Sequence, residues 1–275
     1  MERIKGNPLT FSLLVLLAVM VLYVGYRHDT LTRGIAYLSV MWLFSFFIDV
    51  YALRYPPKND FVVRNAKRET GYFILCLLLG MVFLYFRFSG NADWQHLNPL
   101  ARLAIIPLIV FVFPIALAII MLLSGYKPKE QGIRLQGLVM VIPILLISFL
   151  TNRIVSPESL TWNRVIDESG SIIGAIYSGL ILAGLSEEFF RVIGQTRMGA
   201  LMKNMGYGWL ITSTIWAFMH APKWYGEEHD LKEALLSSTR IIPIGLMWGY
   251  LTHRTKSILP SVVVHGFNFW GLQNF

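Results

Sequence analysis

Two adjacent carboxylates and an arginine interrupt an apolar run at Leu185-Ser186-Glu187-Glu188-Phe189-Phe190-Arg191. On a helix, neighbouring residues lie about 100° apart, so Glu187 and Glu188 cannot do the same job. Arg191 stands four residues past Glu187 and three past Glu188, and either spacing allows an ion pair. The chemistry this suggests is a division of labour. One carboxylate is held ionised by Arg191, and the other faces a cavity as a general base. Two imidazoles and an amide follow: His220 ends the apolar run Trp216-Ala217-Phe218-Met219, and His265 and Asn268 share a helical face three residues apart. A base, two imidazoles and an amide donor can together activate a water and stabilise an oxyanion. Without the histidines, the carboxylate pair reads equally well as a helix end in headgroup water.

The elements that must position these groups are membrane helices. The chain has 275 residues, of which 55% are hydrophobic and only 15% charged, and its mean hydropathy is +0.55. Soluble domains carry roughly 25% charged residues, so a soluble enzyme or a disordered chain is excluded. Blocks such as Leu9 to Tyr26, Ile35 to Val50, Tyr72 to Phe86 and Leu103 to Leu123 approach the ~20 residues that cross a bilayer. They do not alternate as barrel strands would. The fold class expected is all-α, a polytopic transmembrane bundle of about eight or nine helices. Further apolar segments, several of them short, at Leu138 to Leu150, Ile172 to Phe190, Trp209 to His220, Ile241 to Leu251 and Ile258 to Phe275 complete the set. An N-terminal accessory region (residues 1–126) is expected to precede a C-terminal core (137–275), because nearly all buried polarity beyond Asp49 falls in the second half. The excess of basic over acidic residues, +8 overall, reads as topology and contact with anionic lipid rather than nucleic acid.

Elimination narrows the chemistry. There is no His-Glu-x-x-His zinc helix, no Gly-x-Ser-x-Gly nucleophile turn and no phosphate-binding glycine loop. The single cysteine, Cys76, lies far from every histidine in sequence. Asp49 has no membrane partner for an aspartyl dyad and is expected to pair with Arg54. The segment Pro222 to Asp230 reads as a solvated loop, with a gate over the site as the functional alternative. Gly245 and Gly249 form a Gly-x-x-x-Gly spacing for close helix packing, and Pro107, Pro114 and Pro143 are expected to kink helices.

In order and placement these residues resemble the CPBP family, the CAAX prenyl proteases and the Abi bacteriocin-processing or self-immunity proteins. That family's pattern is Glu-Glu-x-x-x-Arg, then Phe-x-x-x-His, then His-x-x-x-Asn/Asp/Ser. The resemblance covers about Ser171 to Phe275. Here the arginine comes one residue early, Trp216 stands for the phenylalanine, and Asn268 is three rather than four past His265. The resemblance implies an intramembrane endopeptidase with Glu187, Glu188, His220, His265 and Asn268 as catalytic candidates and Arg191 in support. It makes Glu187 the base, His220 its partner, and His265 with Asn268 the oxyanion donors. No cofactor is expected. Zinc is the alternative, with Glu187, His220 and His265 as its ligands. The partners implied are a peptide or protein substrate, lipidated or not, and membrane lipids, with no nucleic acid. The location implied is a multi-pass position in the cell membrane. Two other functions fit the same residues: a non-catalytic immunity or partner-binding protein, and a proton-coupled transporter.

Overall fold

The structure, a computed structural model, describes residues 8–88, 112–155 and 170–268, with positions 166 and 271. Among them the chain is helical throughout, without strands. In order come α1 (Pro8–Arg27), α2 (Leu31–Arg54), α3 (Ala66–Phe88), α4 (Val112–Leu123), α5 (Val141–Val155), α6 (Ile172–Leu201), α7 (Met205–Phe218), α8 (Ala221–Glu228), α9 (Leu231–Arg240), α10 (Ile242–Thr255) and α11 (Leu259–Gly266). Five helices among the described residues are long and apolar enough to cross a membrane. The protein is a multi-pass helical membrane protein. The expected segment Leu103 to Leu123 lies partly outside the described residues, as does Pro107. Its described part is the short α4. The segment expected to stop at Phe190 instead runs on to Leu201 within the 30 residues of α6.

The outward faces are apolar. Trp42, Leu53, Ile142 and Ile154 are all exposed, from 70% to 80%, an arrangement that hydrocarbon tolerates and water does not. Two packed clusters lie inside. One joins Tyr37 and Phe44 of α2 to Trp216 of α7 and Trp248 of α10. The other joins Phe73 of α3, Met121 of α4, and Phe190 and Ile193 of α6.

The backbone of α6 is π-helical from Tyr177 to Glu187 and returns to α at Glu188. Such widened turns recur at functional sites. This one leaves room for α11. A Cβ on Gly184 would lie 2.5 Å from the Val262 carbonyl oxygen, so only glycine lets the two helices approach this closely. Gly245 and Gly249 do the same for α10: their missing Cβ atoms would meet the Trp216 ring and Arg191 Nη1, each at 2.7 Å.

Several expectations are corrected. Pro143 sits in the first turn of α5, where a missing N–H costs little. Asp49 does not pair with the nearby Arg54. It accepts from the Tyr250 hydroxyl and lies 2.9 Å from Arg254 Nε, because residues five apart on a helix do not face each other. Pro222 to Glu228 is helical, with proline in the first turn, and only His229 and Asp230 follow as an exposed connection. The first half also contributes a buried charge. Glu69, 1% exposed, lies 3.0 Å from Arg197 Nε and accepts from the Tyr126 hydroxyl at 2.6 Å.

The loop between α2 and α3 is tied to the end of α10, with Asp60 2.8 Å from Lys256 Nζ. Burial pushes the Asp60 carboxyl up, but the Lys256 hydrogen bond and charge, with the Phe61 N–H, hold it below the usual range. Its contribution is therefore present at neutral pH and fades as pH falls through that lowered value.

Candidate functional site

Glu187 and Glu188 stand where α6 passes from π to α geometry, and their side chains diverge. Glu188 is fully buried beside Arg191, 1% exposed. One of its oxygens accepts from Arg191 Nη2, and the other lies 3.0 Å from His265 Nδ1. The i,i+3 pairing is thus the one realised. Arg191 Nη1 also donates to the Gly245 carbonyl at 2.6 Å, which locks α6 to α10. Headgroup water does not reach this pair.

Glu187 turns the other way. Its Oε2 accepts the indole N–H of Trp216 at 2.7 Å. The same oxygen lies 3.9 Å from His220 Nε2 and 3.8 Å from His265 Nε2. Both gaps exceed a direct hydrogen bond and suit a bridging water. The Glu187, His220 and His265 side chains are 23%, 29% and 11% exposed, so the cluster is sheltered but open on one side.

Second contacts fix both rings. His220, at the turn between α7 and α8, places Nδ1 3.0 Å from the Trp216 carbonyl oxygen. A carbonyl only accepts, so Nδ1 carries the hydrogen, and neutral His220 turns the Nε2 lone pair toward Glu187. His265 Nδ1 faces the Glu188 carboxylate, which assigns the same tautomer. Trp248 stacks on His265 with centroids 3.9 Å apart and planes at 17°, and Trp216 meets the same ring edge-on at 89°. Asn268 lies just past the end of α11, half-buried, with its backbone N–H on the His265 carbonyl at 3.0 Å.

The structure therefore brings Glu187, Glu188, Arg191, His220 and His265 together from three parts of the chain. With the arginine one residue early, its guanidinium meets Glu188 rather than Glu187, and the Ser186 hydroxyl donates back to the Leu182 carbonyl. Sequence reasoning treated Trp216 only as an aromatic substitute and missed its N–H. Its position four residues before His220, one helical turn away, is the signal that could have found it. It also missed Trp248, which stands three residues past Gly245 on the same close-packed helix.

Three nitrogen and oxygen acceptors facing one gap invite a test of metal fit. Zinc bonds near 2.0 Å set tetrahedral ligand edges of about 3.3 Å, narrower than the 3.8 and 3.9 Å found here. Glu187 Oε2 is also engaged by Trp216. Among the described residues no group of three or more His, Cys, Asp or Glu side chains could hold a metal ion. As arranged, the donor set does not fit zinc.

No curated protein and no solved structure matches the chain. Residues 169–270 match a family model, type II CAAX prenyl endopeptidase Rce1-like. The match spans over a third of the chain and encloses every residue of the cluster. The part of this membrane protein that assembles the paired carboxylates and the two fixed imidazoles is thus similar to the Rce1-like family of CAAX prenyl endopeptidases.

Proposed function

We propose that the chain is an intramembrane endopeptidase in which Glu187 activates a water to hydrolyse a peptide bond. The observation that carries this reading is the pair of imidazole Nε2 atoms facing one glutamate oxygen across water-sized gaps. The water's oxygen attacks the peptide carbonyl carbon, and one of its protons passes to Glu187. The same proton is then delivered to the amide nitrogen as the C–N bond breaks. His220 accepts from and orients the water through Nε2. His265 takes a second proton from solvent at Nε2 before the attack, is stabilised as the imidazolium by Glu188 at Nδ1, and donates that Nε2–H to the oxyanion, keeping it through the cycle. Asn268, as the family pattern implies, is the second oxyanion donor. Glu188 and Arg191 hold His265 rather than touch the substrate.

The substrates are peptides or proteins reached within the bilayer, with CAAX-type prenylated or bacteriocin-related chains as the classes the family suggests. The site of action is the cell membrane. The test is cleavage of prenylated and unmodified peptides by the purified full-length protein in detergent, with and without a chelator. Hydrolysis that persists in chelator is expected. Activity abolished by chelation and restored by zinc would instead make Glu187, His220 and His265 metal ligands.

The indole N–H gives a finer check. In Trp216→Phe the ring packing is kept and one hydrogen bond to a carboxylate is lost, worth about 1.5–3 kcal/mol. We expect kcat to fall on the order of ten-fold or more with KM unchanged. An unchanged kcat would remove Trp216 from the positioning of Glu187.

A further inference from the structure

A second feature of α6 is unconnected with hydrolysis. Behind the π-helical stretch lies a cavity of about 310 Å³, at the small end of ligand pockets. It is walled by Pro114 and Ala118 of α4, by Ile181, Leu185 and Phe189 of α6, and by the turn Pro128–Gln131. None of Glu187, His220 and His265 lines it. Its occupant is not presented to the candidate catalytic groups, so a substrate tail is a poor match.

Two observations say what does match. The first is Gln131, which lines the cavity and is 2% exposed. Its Oε1 accepts from Arg197 Nη2 at 2.8 Å, while its Nε2 has no hydrogen-bond partner. A buried amide donor left unpaired is costly, and it asks for an oxygen acceptor. The second is the charge at the rim. Lys127 and Lys129 flank Pro128 and are exposed, and among the described residues neither enters an ion pair. The other charges on this turn are engaged: Glu130 pairs with Arg64 at 3.2 Å, and Arg134 donates to the carbonyls of Asn59, Asp60 and Lys129. Free cations outside, a neutral donor beneath them and a carbon-lined hole within form a fixed order. An anionic phospholipid presents the complementary order of phosphate, ester carbonyl and acyl chain.

We propose that this cavity holds one acyl chain of an anionic bilayer phospholipid, with the ester carbonyl on Gln131 Nε2 and the phosphate between Lys127 and Lys129. The bound chain packs on the helix that carries Glu187, from its opposite side.

The test uses the full chain in phosphatidylcholine nanodiscs doped with phosphatidylglycerol carrying a photoreactive acyl chain. Crosslinks should map to peptides containing Pro114–Leu122 or Ile181–Phe189. Unlabelled phosphatidylglycerol should compete at least ten-fold better than phosphatidylcholine. Ala118→Phe, which fills the cavity, should cut the labelling at least ten-fold. The surface double variant Lys127→Gln/Lys129→Gln, which leaves the packed interior untouched, should abolish the preference for phosphatidylglycerol. Labelling spread evenly over all lipid-facing helices would overturn the proposal. So would equal competition by the two lipids, or displacement by a prenylated peptide but not by phosphatidylglycerol.

Discussion

Glu187→Gln is expected to abolish peptide cleavage and to leave the bundle folded. Gln is isosteric and its amide oxygen can still accept the Trp216 N–H, so the 2.7 Å contact survives and the packing around α6 is unchanged. What disappears is a group that can take a proton from water. General-base removal costs on the order of 10²–10⁴-fold in rate. Here it should reach the upper end, because among the described residues Glu187 carries the only carboxylate oxygen that His220 and His265 both face. The measurement is kcat on a fluorogenic peptide alongside the melting temperature in detergent. The same variant separates the three functions. Loss of cleavage with normal membrane levels marks the peptidase. Retained protection or partner binding without any cleavage in the native protein marks the scaffold, and lost proton-coupled flux marks the transporter.

Arg191→Met is the largest expected loss of stability. Arg191 and Glu188 are 1% and 0% exposed, so removing the guanidinium strands a carboxylate in the interior and frees the Gly245 carbonyl. Breaking a buried pair from one side costs about 3–5 kcal/mol, enough to deplete the folded protein. Adding Glu188→Gln to Arg191→Met should recover much of that loss, because the uncompensated charge goes with its partner. It should not recover cleavage, since His265 no longer has a carboxylate at Nδ1. A double variant as unstable as Arg191→Met alone would mean that the damage lies in packing against Gly249, not in charge.

The membrane fold was legible because apolar blocks and scarce charge are properties of composition, which no tertiary contact can hide. The Glu188–Arg191 pair was legible as one of two helical spacings, and the structure chooses between them through the direction in which Glu187 and Glu188 diverge. The π geometry of Tyr177–Glu187 has no composition of its own. It arises where Gly184 of α6 and Gly266 of α11 let the two helices press together, and that is a relation between helices, not a local preference. Neither Glu69 nor Arg197 stood out in the sequence. Their pairing joins positions 128 residues apart, beyond the reach of any spacing rule. Asp49 failed for the same reason: its partners Tyr250 and Arg254 lie on α10, far along the chain. The indole of Trp216 was visible, but a hydrogen bond from a ring to a carboxylate on another helix depends on where that ring points.

In the proposed reaction one water, held between Glu187, His220 and His265, attacks the peptide carbonyl without an acyl-enzyme. Cleavage in ¹⁸O-labelled water, followed over many turnovers by mass spectrometry of product and protein, distinguishes the two routes. One ¹⁸O is expected in the new carboxylate of each N-terminal product and none in the peptide containing Glu187. Label accumulating on Glu187 would reveal a covalent acyl-glutamyl intermediate, and an absence of cleavage would remove the proteolytic centre altogether.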